Sequence, residues 1–214
     1  MSLTIDAVML FIQLLEDLFY YKHYVYLIFY CGGCMKHEIC SILTEIGENV
    51  ERPGLVETPA RIARMYTELL YGYDLNKKPK LTTFANGEDG VKYNQMVIDS
   101  GTFCSFCEHH ALTFTGTYWF AYLPGEKIIG LSKIARVVSF HSARLQVQER
   151  LVKEIVDELW NVLKPKGIAL VMKGRHLCKE IRGVKKVGEM ITIELRGLLN
   201  EDAKTREEFF HFVQ

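Results

Sequence analysis

The sequence Cys107-Glu108-His109-His110 lies between two stretches rich in Val, Ile, Thr, Tyr and Phe, at residues 93–103 and 112–123. Because β-branched and aromatic residues favour strands, the segment is predicted to connect a strand pair. Farther along the chain, His176-Leu177-Cys178 follows another apolar stretch at 168–173. Both short runs concentrate thiol and imidazole groups, which are common zinc ligands in proteins. The sequence therefore predicts one metal site that is divided between two distant segments.

Five side chains compete for that ion: Cys107, His109, His110, His176 and Cys178. Cys107 and His110 are three residues apart, a separation that a turn can converge on one ion. His176 and Cys178 are two apart, so on a strand they would share one face. A catalytic zinc site uses three protein ligands and leaves one position for water. The economical assignment gives Cys107, His110 and Cys178 to the metal and leaves two histidines for proton transfer.

Composition narrows the class of protein. The chain has 214 residues, of which 49% are hydrophobic, so it can bury a substantial core as one domain. Its formal net charge is zero, so overall charge gives no reason to expect binding to nucleic acid or to an acidic membrane surface. Six cysteines occur without the dense spacing of a disulfide scaffold, which favours a reducing compartment. The expected location is cytoplasmic.

Residues 1–34 form an atypical apolar extension. Its two apolar runs, at 8–15 and 24–31, are separated by charged residues, and neither approaches the roughly 18 to 20 residues that cross a bilayer. No membrane association is therefore expected. The motif Cys31-Gly32-Gly33-Cys34 suggests metal or redox chemistry. The plainer alternatives are an extra helix, or sequence that precedes a natural start at Met35.

From Met35 onward the sequence alternates between helical and strand periodicity. Residues 35–80 are predicted as the helical part, and residues 81–214 as the catalytic part, of one domain. Ser132 is predicted as the N-cap of a helix at 133–144, because a serine hydroxyl satisfies a free backbone N–H group. The other predicted elements are helices at 36–49, 58–72, 147–163 and 204–212, and strands at 127–131 and 187–195. This order predicts an α+β fold, an antiparallel sheet with its helices on one side.

Seven motifs in this chain resemble, in order, those of GTP cyclohydrolase I of the zinc-dependent type. The likeness runs from about residue 35 to residue 213, so that only the N-terminal extension lies outside it. The motifs are Glu57-Thr-Pro-Ala-Arg61, Ser105-Phe-Cys-Glu-His-His110, Gly130-Leu-Ser-Lys-Ile-Ala-Arg136, Arg144-Leu-Gln-Val-Gln-Glu-Arg-Leu151, His176-Leu-Cys178, Arg182-Gly-Val184 and Lys204-Thr-Arg-Glu-Glu-Phe209.

The resemblance implies an activity and an assembly. The activity is zinc-dependent hydrolytic opening of the guanine imidazole ring of GTP, release of formate and rearrangement to 7,8-dihydroneopterin triphosphate. That reaction begins pterin and folate-type biosynthesis. The implied fold is the tunnelling fold, in which the sheets of several subunits join into a barrel. The implied assembly is a homodecamer with pockets between subunits. The downstream pathway and any allosteric partner stay open.

The resemblance also implies roles for individual residues. Cys107, His110 and Cys178 match the zinc ligands, and His109 and His176 match the catalytic histidines. The other matched positions are Gln148 and Glu149 for the guanine, Lys133, Arg136 and Arg182 for the triphosphate, and Arg61 and Arg64 from a neighbouring subunit. Apart from the resemblance, the hydroxyl of Ser132 at a helix N-terminus suggests an acid in the ribose rearrangement, and N-capping alone is the alternative.

Four positions depart from the family pattern. Glu194 and Arg196 bring charge into a strand that usually carries small Thr and Ser residues. Ala143 replaces an arginine, and His141 replaces an aromatic residue. These changes bear on substrate affinity and assembly more than on the reaction. Two other functions therefore stay open: a related tunnelling-fold enzyme, such as the nitrile reductase of deazaguanine metabolism, and a zinc-stabilised, non-catalytic binding protein.

Overall fold

The structure is a computed structural model that describes residues 34–213. Except for Cys34, the predicted N-terminal extension and its Cys-Gly-Gly-Cys motif lie outside the described residues. The chain divides into two compact units, with the boundary between Glu68 and Leu69. The predicted divisions at residues 34 and 80 stay predictions. None of the helices within residues 34–213 combines the length and the apolar character that crossing a bilayer requires.

Two helices begin in the first unit, α1 (Cys34–Glu45) and α2 (Thr58–Leu69). Both lie where the helical periodicity predicts them. Along the predicted apolar face, Ile39 of α1 is 7% exposed, whereas Ile42 of α1 and Ile46, directly after the helix, are 58% and 72% exposed. Large apolar side chains that share an exposed face are typical of an interaction surface.

The second unit contains the sheet. Its strands are β1 (Thr83–Ala85), β2 (Val97–Cys107), β3 (Thr113–Leu123), β4 (Lys127–Ile129), β5 (Leu145–Gln146), β6 (Gly167–His176) and β7 (Glu189–Gly197). Its helices are α3 (Leu131–Ser142), α4 (Gln148–Leu163), α5 (Leu177–Glu180), α6 (Leu198–Glu201) and α7 (Ala203–Phe210). Five strands form one sheet in the order β5-β2-β3-β6-β7, antiparallel except for the pair β2 and β5. β1 and β4 form a separate antiparallel pair. The mixed α+β class is confirmed.

Helices pack on both faces of this sheet, although they cover only part of the second face, so the prediction that they lie on one side is wrong. On one face, Phe120 of β3 is fully buried in the core that α3 and α4 complete. On the other face, Ala121 packs with Leu199 of α6 and Phe209 of α7. Residues 118–123 of β3 read as one continuous run of apolar and aromatic residues. Such a run is typical of a strand that is buried on both faces.

The register of β3 brings the two predicted halves of the metal site together. Phe114 pairs with Ser105 of β2 on one side and with His176 of β6 on the other. β2 ends two residues later, at Cys107, and β6 ends at His176 itself. Two segments that are far apart in the sequence therefore leave the sheet at the same end.

The unusual charges in β7 are paired within the chain. Arg196 donates from Nη2 to the Asp157 carboxylate of α4 at 2.6 Å and from Nε to Glu194 Oε1 at 3.0 Å. Glu194 lies opposite Leu170 of β6, toward the end of that strand remote from His176. These charges therefore strengthen a helix–strand contact and do not reach the end of the sheet where the metal site is predicted.

The other two departures from the family pattern are also accommodated internally. His141 is 6% exposed, and its Nδ1 and Nε2 lie 3.3 Å and 2.8 Å from the carboxylates of Glu154 and Glu158. An aromatic ring at this position would leave those two carboxylates without this partner. Ala143 is buried, and its carbonyl accepts the backbone N–H of Gly72 at 3.0 Å.

The packing of α6 and α7 on the second face of the sheet can be tested. Phe209 is fully buried, whereas its neighbour Phe210 is 36% exposed. We expect Phe209→Ala to lower the free energy of unfolding by about 3 to 5 kcal/mol, because it removes a buried aromatic ring. Phe210→Ala, the matched control, should cost roughly a third of that or less. Urea unfolding at one fixed protein concentration measures both, and equal losses would contradict the two-faced packing.

Candidate metal centre and active site

Cys107 ends β2 and is 7% exposed. The chain then turns sharply, because the backbone N–H groups of His110 and Ala111 both donate to the Cys107 carbonyl, at 3.3 and 2.8 Å. Ala111 adopts the left-handed conformation, with φ of 52°, and directs the chain back into β3. The Cys107 N–H donates to the Leu112 carbonyl at 2.8 Å. This turn brings His110 Nδ1 to 3.8 Å from Cys107 Sγ.

Cys178 reaches the site in a different way from the one predicted. β6 ends at His176, and Cys178 lies in the one-turn helix α5, so the two residues do not share a strand face. The prediction fails because the chain leaves the sheet at Leu177, where the Leu177 carbonyl accepts the Ile181 N–H at 3.0 Å. The helical turn nevertheless carries the Cys178 thiol to Cys107.

Cys107, His110 and Cys178 form the one group within residues 34–213 whose geometry suits a metal ion. One ligand atom from each lies within 4.8 Å of the other two. Zinc ligands about 2.0 to 2.3 Å from the ion lie roughly 3 to 4 Å from one another, so a small contraction would seat Zn²⁺. Burial, followed by the neighbouring Cys107 thiol, raises the pKa of Cys178, and metal binding would release that proton. Three protein ligands are the number typical of a catalytic zinc site.

His109 lies beside this group without joining it. Its Nδ1 is 3.8 Å from Cys107 Sγ, but the residue does not share the tight set of ligand atoms with Cys178. Its side chain is 64% exposed, and its Nε2 lies 3.9 Å from Glu108 Oε1. The ring is therefore placed to exchange protons at the open side of the site.

His176 is held in one orientation. Its ring stacks on Phe114 with centroids 4.5 Å apart and an angle of 4° between the planes. Its Nε2 lies 2.9 Å from Gln148 Oε1. Since an amide oxygen only accepts, this contact assigns the Nε2 proton to the histidine. Burial lowers the pKa of His176, and the nearby Glu149 carboxylate acts in the opposite direction.

The Gln148 side chain is occupied inside the protein. Gln148 is 1% exposed, and the two hydrogens of its amide nitrogen are shared among three acceptors, the carbonyls of Met172 and Met190 at 2.9 and 3.1 Å and Thr192 Oγ1 at 3.0 Å. These acceptors fix the amide so that its oxygen faces His176. The geometry assigns the side chain to orienting that histidine. As the first residue of α4, Gln148 still offers a backbone N–H that the helix does not use.

Two other predicted residues act on the site through their charge. Glu149 is exposed at the first turn of α4, close enough to His176 for its carboxylate to affect that ring. Arg182 is exposed after α5, and its guanidinium opposes the upward shift in the pKa of Cys178. Glu149 therefore lies near His176, and Arg182 lies near Cys178.

Ser132 does not cap α3, so that prediction is wrong. The helix begins at Leu131, its N-cap is Gly130, and no side chain caps it. The chain becomes helical directly after β4, and the Lys133 N–H donates to the Gly130 carbonyl at 2.8 Å. Ser132 is instead an exposed residue of the first turn, where its hydroxyl is accessible.

The remaining predicted cations are accessible. Within the described residues of the second unit, no hydrogen bond or ion pair joins Lys133 or Arg136 to Cys107, His110 or Cys178. Lys133 is half-buried and Arg136 is exposed on α3. Arg136 lines a surface cavity of about 410 Å³ together with Lys77. Arg61 and Arg64 are exposed on α2, in the first unit.

Sequence analysis missed the side chains that support the site from behind. Phe114 and Thr192 are placed by strand register, which local patterns do not reveal. Glu108 and Arg150 lie inside the quoted motifs, and their carboxylate and guanidinium contact each other directly. Their position within two motifs was the sequence signal that could have identified them as supporting residues.

The chain matches the GTP cyclohydrolase I family over residues 35–214. It belongs to that family. It is 42% identical over 182 residues to GTP cyclohydrolase 1 of Clostridium perfringens, covering 84% of this chain and 96% of the relative. It is 43% identical over 183 residues to GTP cyclohydrolase 1 2 of Nostoc sp., covering 84% and 83%. For GTP cyclohydrolase 1 of Wolinella succinogenes the identity is 39% over 181 residues, covering 84% and 96%.

Membership of the GTP cyclohydrolase I family confirms the resemblance drawn from the motifs. The three candidate ligands, Cys107, His110 and Cys178, come from two of those motifs and meet at one place in the structure. Ligand chemistry predicted that these three residues come together, but it did not predict the helical turn that carries Cys178.

The proposed ligand set makes a direct prediction about metal content. Cys178→Ser removes one of two thiolates, so bound zinc should fall from about one per chain to near zero after dialysis. Cys104→Ser is the matched control, because Cys104 is an exposed thiol on β2 outside the ligand group. Elemental analysis measures both variants. Full zinc occupancy in Cys178→Ser would contradict the assignment.

Proposed function

We propose that this chain is a zinc-dependent hydrolase that opens the guanine imidazole ring of GTP, releases formate and forms 7,8-dihydroneopterin triphosphate. The observation that carries the proposal is the set of three ligand atoms within 4.8 Å of one another, with two further histidines beside them. Membership of the family and the names of the relatives support GTP as the substrate. The reaction would begin pterin and folate-type biosynthesis.

Cys107, His110 and Cys178 would hold Zn²⁺. When bound, the ion lowers the pKa of water toward neutrality and so provides the nucleophile for attack on carbon 8 of the purine. Cys107 is buried, Cys178 is half-buried and His110 is exposed, so the substrate would approach from the side of His110.

His176 and His109 would move the protons. In the neutral form of His176, the contact with Gln148 keeps the proton on Nε2 and leaves Nδ1 with the lone pair. The stack on Phe114 holds that nitrogen in one direction, which suits proton exchange with the imidazole portion of the substrate. The exposed His109 would relay protons during ring opening and release of formate.

Glu149 would recognise the guanine. A carboxylate accepts hydrogen bonds from the N1–H and the amino group of guanine, an arrangement of donors that adenine does not present. The exposed Glu149 lies at the start of α4, within electrostatic range of His176. The free backbone N–H of Gln148 adds a donor for the base at the same place.

Local cations would bind the triphosphate, although the chain has no net charge. Guanidinium groups match phosphate oxygens in two-point contacts, and lysine acts as a compact charge. We assign this role to Lys133, Arg136 and Arg182, with Arg61 and Arg64 supplied by a neighbouring subunit. The accessible hydroxyl of Ser132 is proposed as an acid in the later rearrangement of the ribose.

A homo-oligomer, proposed to be a decamer with sites between subunits, is supported by unpaired strand edges. Within the described residues, β7 pairs only with β6, and residues 97–105 of β2 pair only with β3. Open edges accept further strands. Ile191 and Ile193 of β7 are 58% and 48% exposed, so an added subunit would also cover apolar surface. Joining such edges would extend the sheet into the proposed barrel.

Turnover of GTP, measured together with zinc content, tests the function. The purified chain should convert GTP to formate and dihydroneopterin triphosphate while carrying about one zinc per chain. His109→Ala and His176→Ala should keep the zinc and lose about 100-fold or more in kcat, because each removes a proton carrier. Formate release, pterin fluorescence after oxidation and zinc content are measured on the same samples.

Each other result has a distinct meaning. Zinc without product would contradict the proposal and favour a non-catalytic binding protein. Turnover without zinc would contradict the metal role. Loss of zinc in His109→Ala would show that this residue, and not only His110, is a ligand.

A further inference from the structure

Glu108 lies between a proposed metal ligand and a proposed proton carrier, and the mechanism above gives it no role. Its carboxylate accepts a hydrogen bond from Arg150 Nη2 through Oε2. Its other oxygen, Oε1, faces His109 Nε2 at 3.9 Å. Glu108 therefore joins an anchored cation on α4 to the ring of His109.

Arg150 is fixed before it reaches Glu108. Its Nε donates to Gln146 Oε1 at 2.9 Å, and its Nη2 also donates to the Leu145 carbonyl at 3.2 Å. Because the guanidinium is planar, holding two of its five N–H donors restricts the directions of the other three. The second N–H of Nη2 is directed to Glu108 Oε2.

Gln146 supplies a buried anchor for this arrangement. It is 1% exposed, and its amide nitrogen donates to the His141 carbonyl at 3.1 Å and to Glu154 Oε2 at 3.0 Å. Those two acceptors fix the amide with its oxygen toward Arg150. The Gln146 backbone carbonyl also accepts the Glu108 N–H at 3.1 Å. The turn that carries His109 is thus tied to β5 through both main chain and side chain.

His109 depends on this tie because little else restrains its ring. The side chain is 64% exposed, so packing alone does not select one rotamer. With Glu108 held by Arg150, the His109 ring lies between Cys107 Sγ at Nδ1 and Glu108 Oε1 at Nε2. Without the carboxylate, Nε2 of the ring would lose this partner, and the ring would keep its contacts to Cys107 Sγ and to the tilted His110 ring, whose centroid is 6.2 Å away.

We propose that Glu108 and Arg150 are positioning residues, which act together to hold His109 in its working orientation beside the metal site. Neither is assigned to contact the substrate or the ion. The inference rests on the proposed function for its kinetic consequences, whereas the orientation of His109 is a separate structural claim.

The kinetic test uses Arg150→Gln, Glu108→Gln and the double variant. Each single variant should lower kcat about tenfold, within the range found for residues that orient active-site groups. KM for GTP should stay unchanged, and zinc should stay at about one per chain, since no ligand is altered. Because the two residues act as a unit, the double variant should be no slower than the slower single variant.

Lys153→Gln is the matched control. Lys153 lies on the same helix, one turn beyond Arg150, and donates to the Asp157 carboxylate at 2.7 Å. It also loses a cation and an ion pair, but it lies outside the chain of contacts to His109. Its kcat should match that of the parent protein. An equal loss of kcat in this control would overturn the proposal.

Crystal structures of the zinc-loaded variants give a readout that does not depend on activity. In Arg150→Gln and Glu108→Gln, the His109 ring should rotate or occupy several rotamers while Cys107, His110 and Cys178 keep their positions. A single, unchanged His109 rotamer, an unchanged kcat, or a kcat loss explained by missing zinc would each overturn the proposal. If the parent protein does not turn over GTP, the proposed function fails, and the rotamer of His109 still decides this inference.

Discussion

The pairing of Phe114 with strands on both of its sides is the constraint on which the site depends. Because Ser105 and His176 are its two partners, β2 and β6 must leave the sheet side by side. Cys107 then ends one strand, and Cys178 follows the end of the other. A change of register by one residue would turn the side chains of β6 to the opposite face and separate the halves of the metal site.

Two buried glutamines extend this constraint to the proposed proton carriers. Gln146 and Gln148 flank Val147 where β5 passes into α4, and each has its amide nitrogen committed to acceptors inside the protein. The amide oxygens therefore point away from those acceptors, toward other side chains. Gln148 reaches His176 directly, whereas Gln146 acts on the His109 turn through Arg150 and Glu108. Burying a polar group is costly unless it is hydrogen-bonded. Here the hydrogen bonds of each amide nitrogen also fix the direction of the amide oxygen.

Sequence reasoning reached the three candidate ligands because their chemistry is local. Thiol and imidazole side chains in two short runs predict a divided site without knowledge of the backbone. The same reasoning failed where tertiary structure decides: Cys178 lies on a helical turn, Gly130 and not Ser132 is the N-cap of α3, and helices pack on both faces of the sheet. The internal role of the Gln148 side chain also escaped prediction, since its acceptors at Met172 and Met190 lie on two different strands.

X-ray absorption at the zinc edge tests the central claim most directly, because it counts ligands by element and distance. The account predicts two sulfurs at about 2.3 Å, one imidazole nitrogen at about 2.0 to 2.1 Å and one further light atom. Replacing His109 with alanine should leave that spectrum unchanged. A spectrum with two imidazoles, or with fewer than two sulfurs, would contradict the division between three metal ligands and two free histidines.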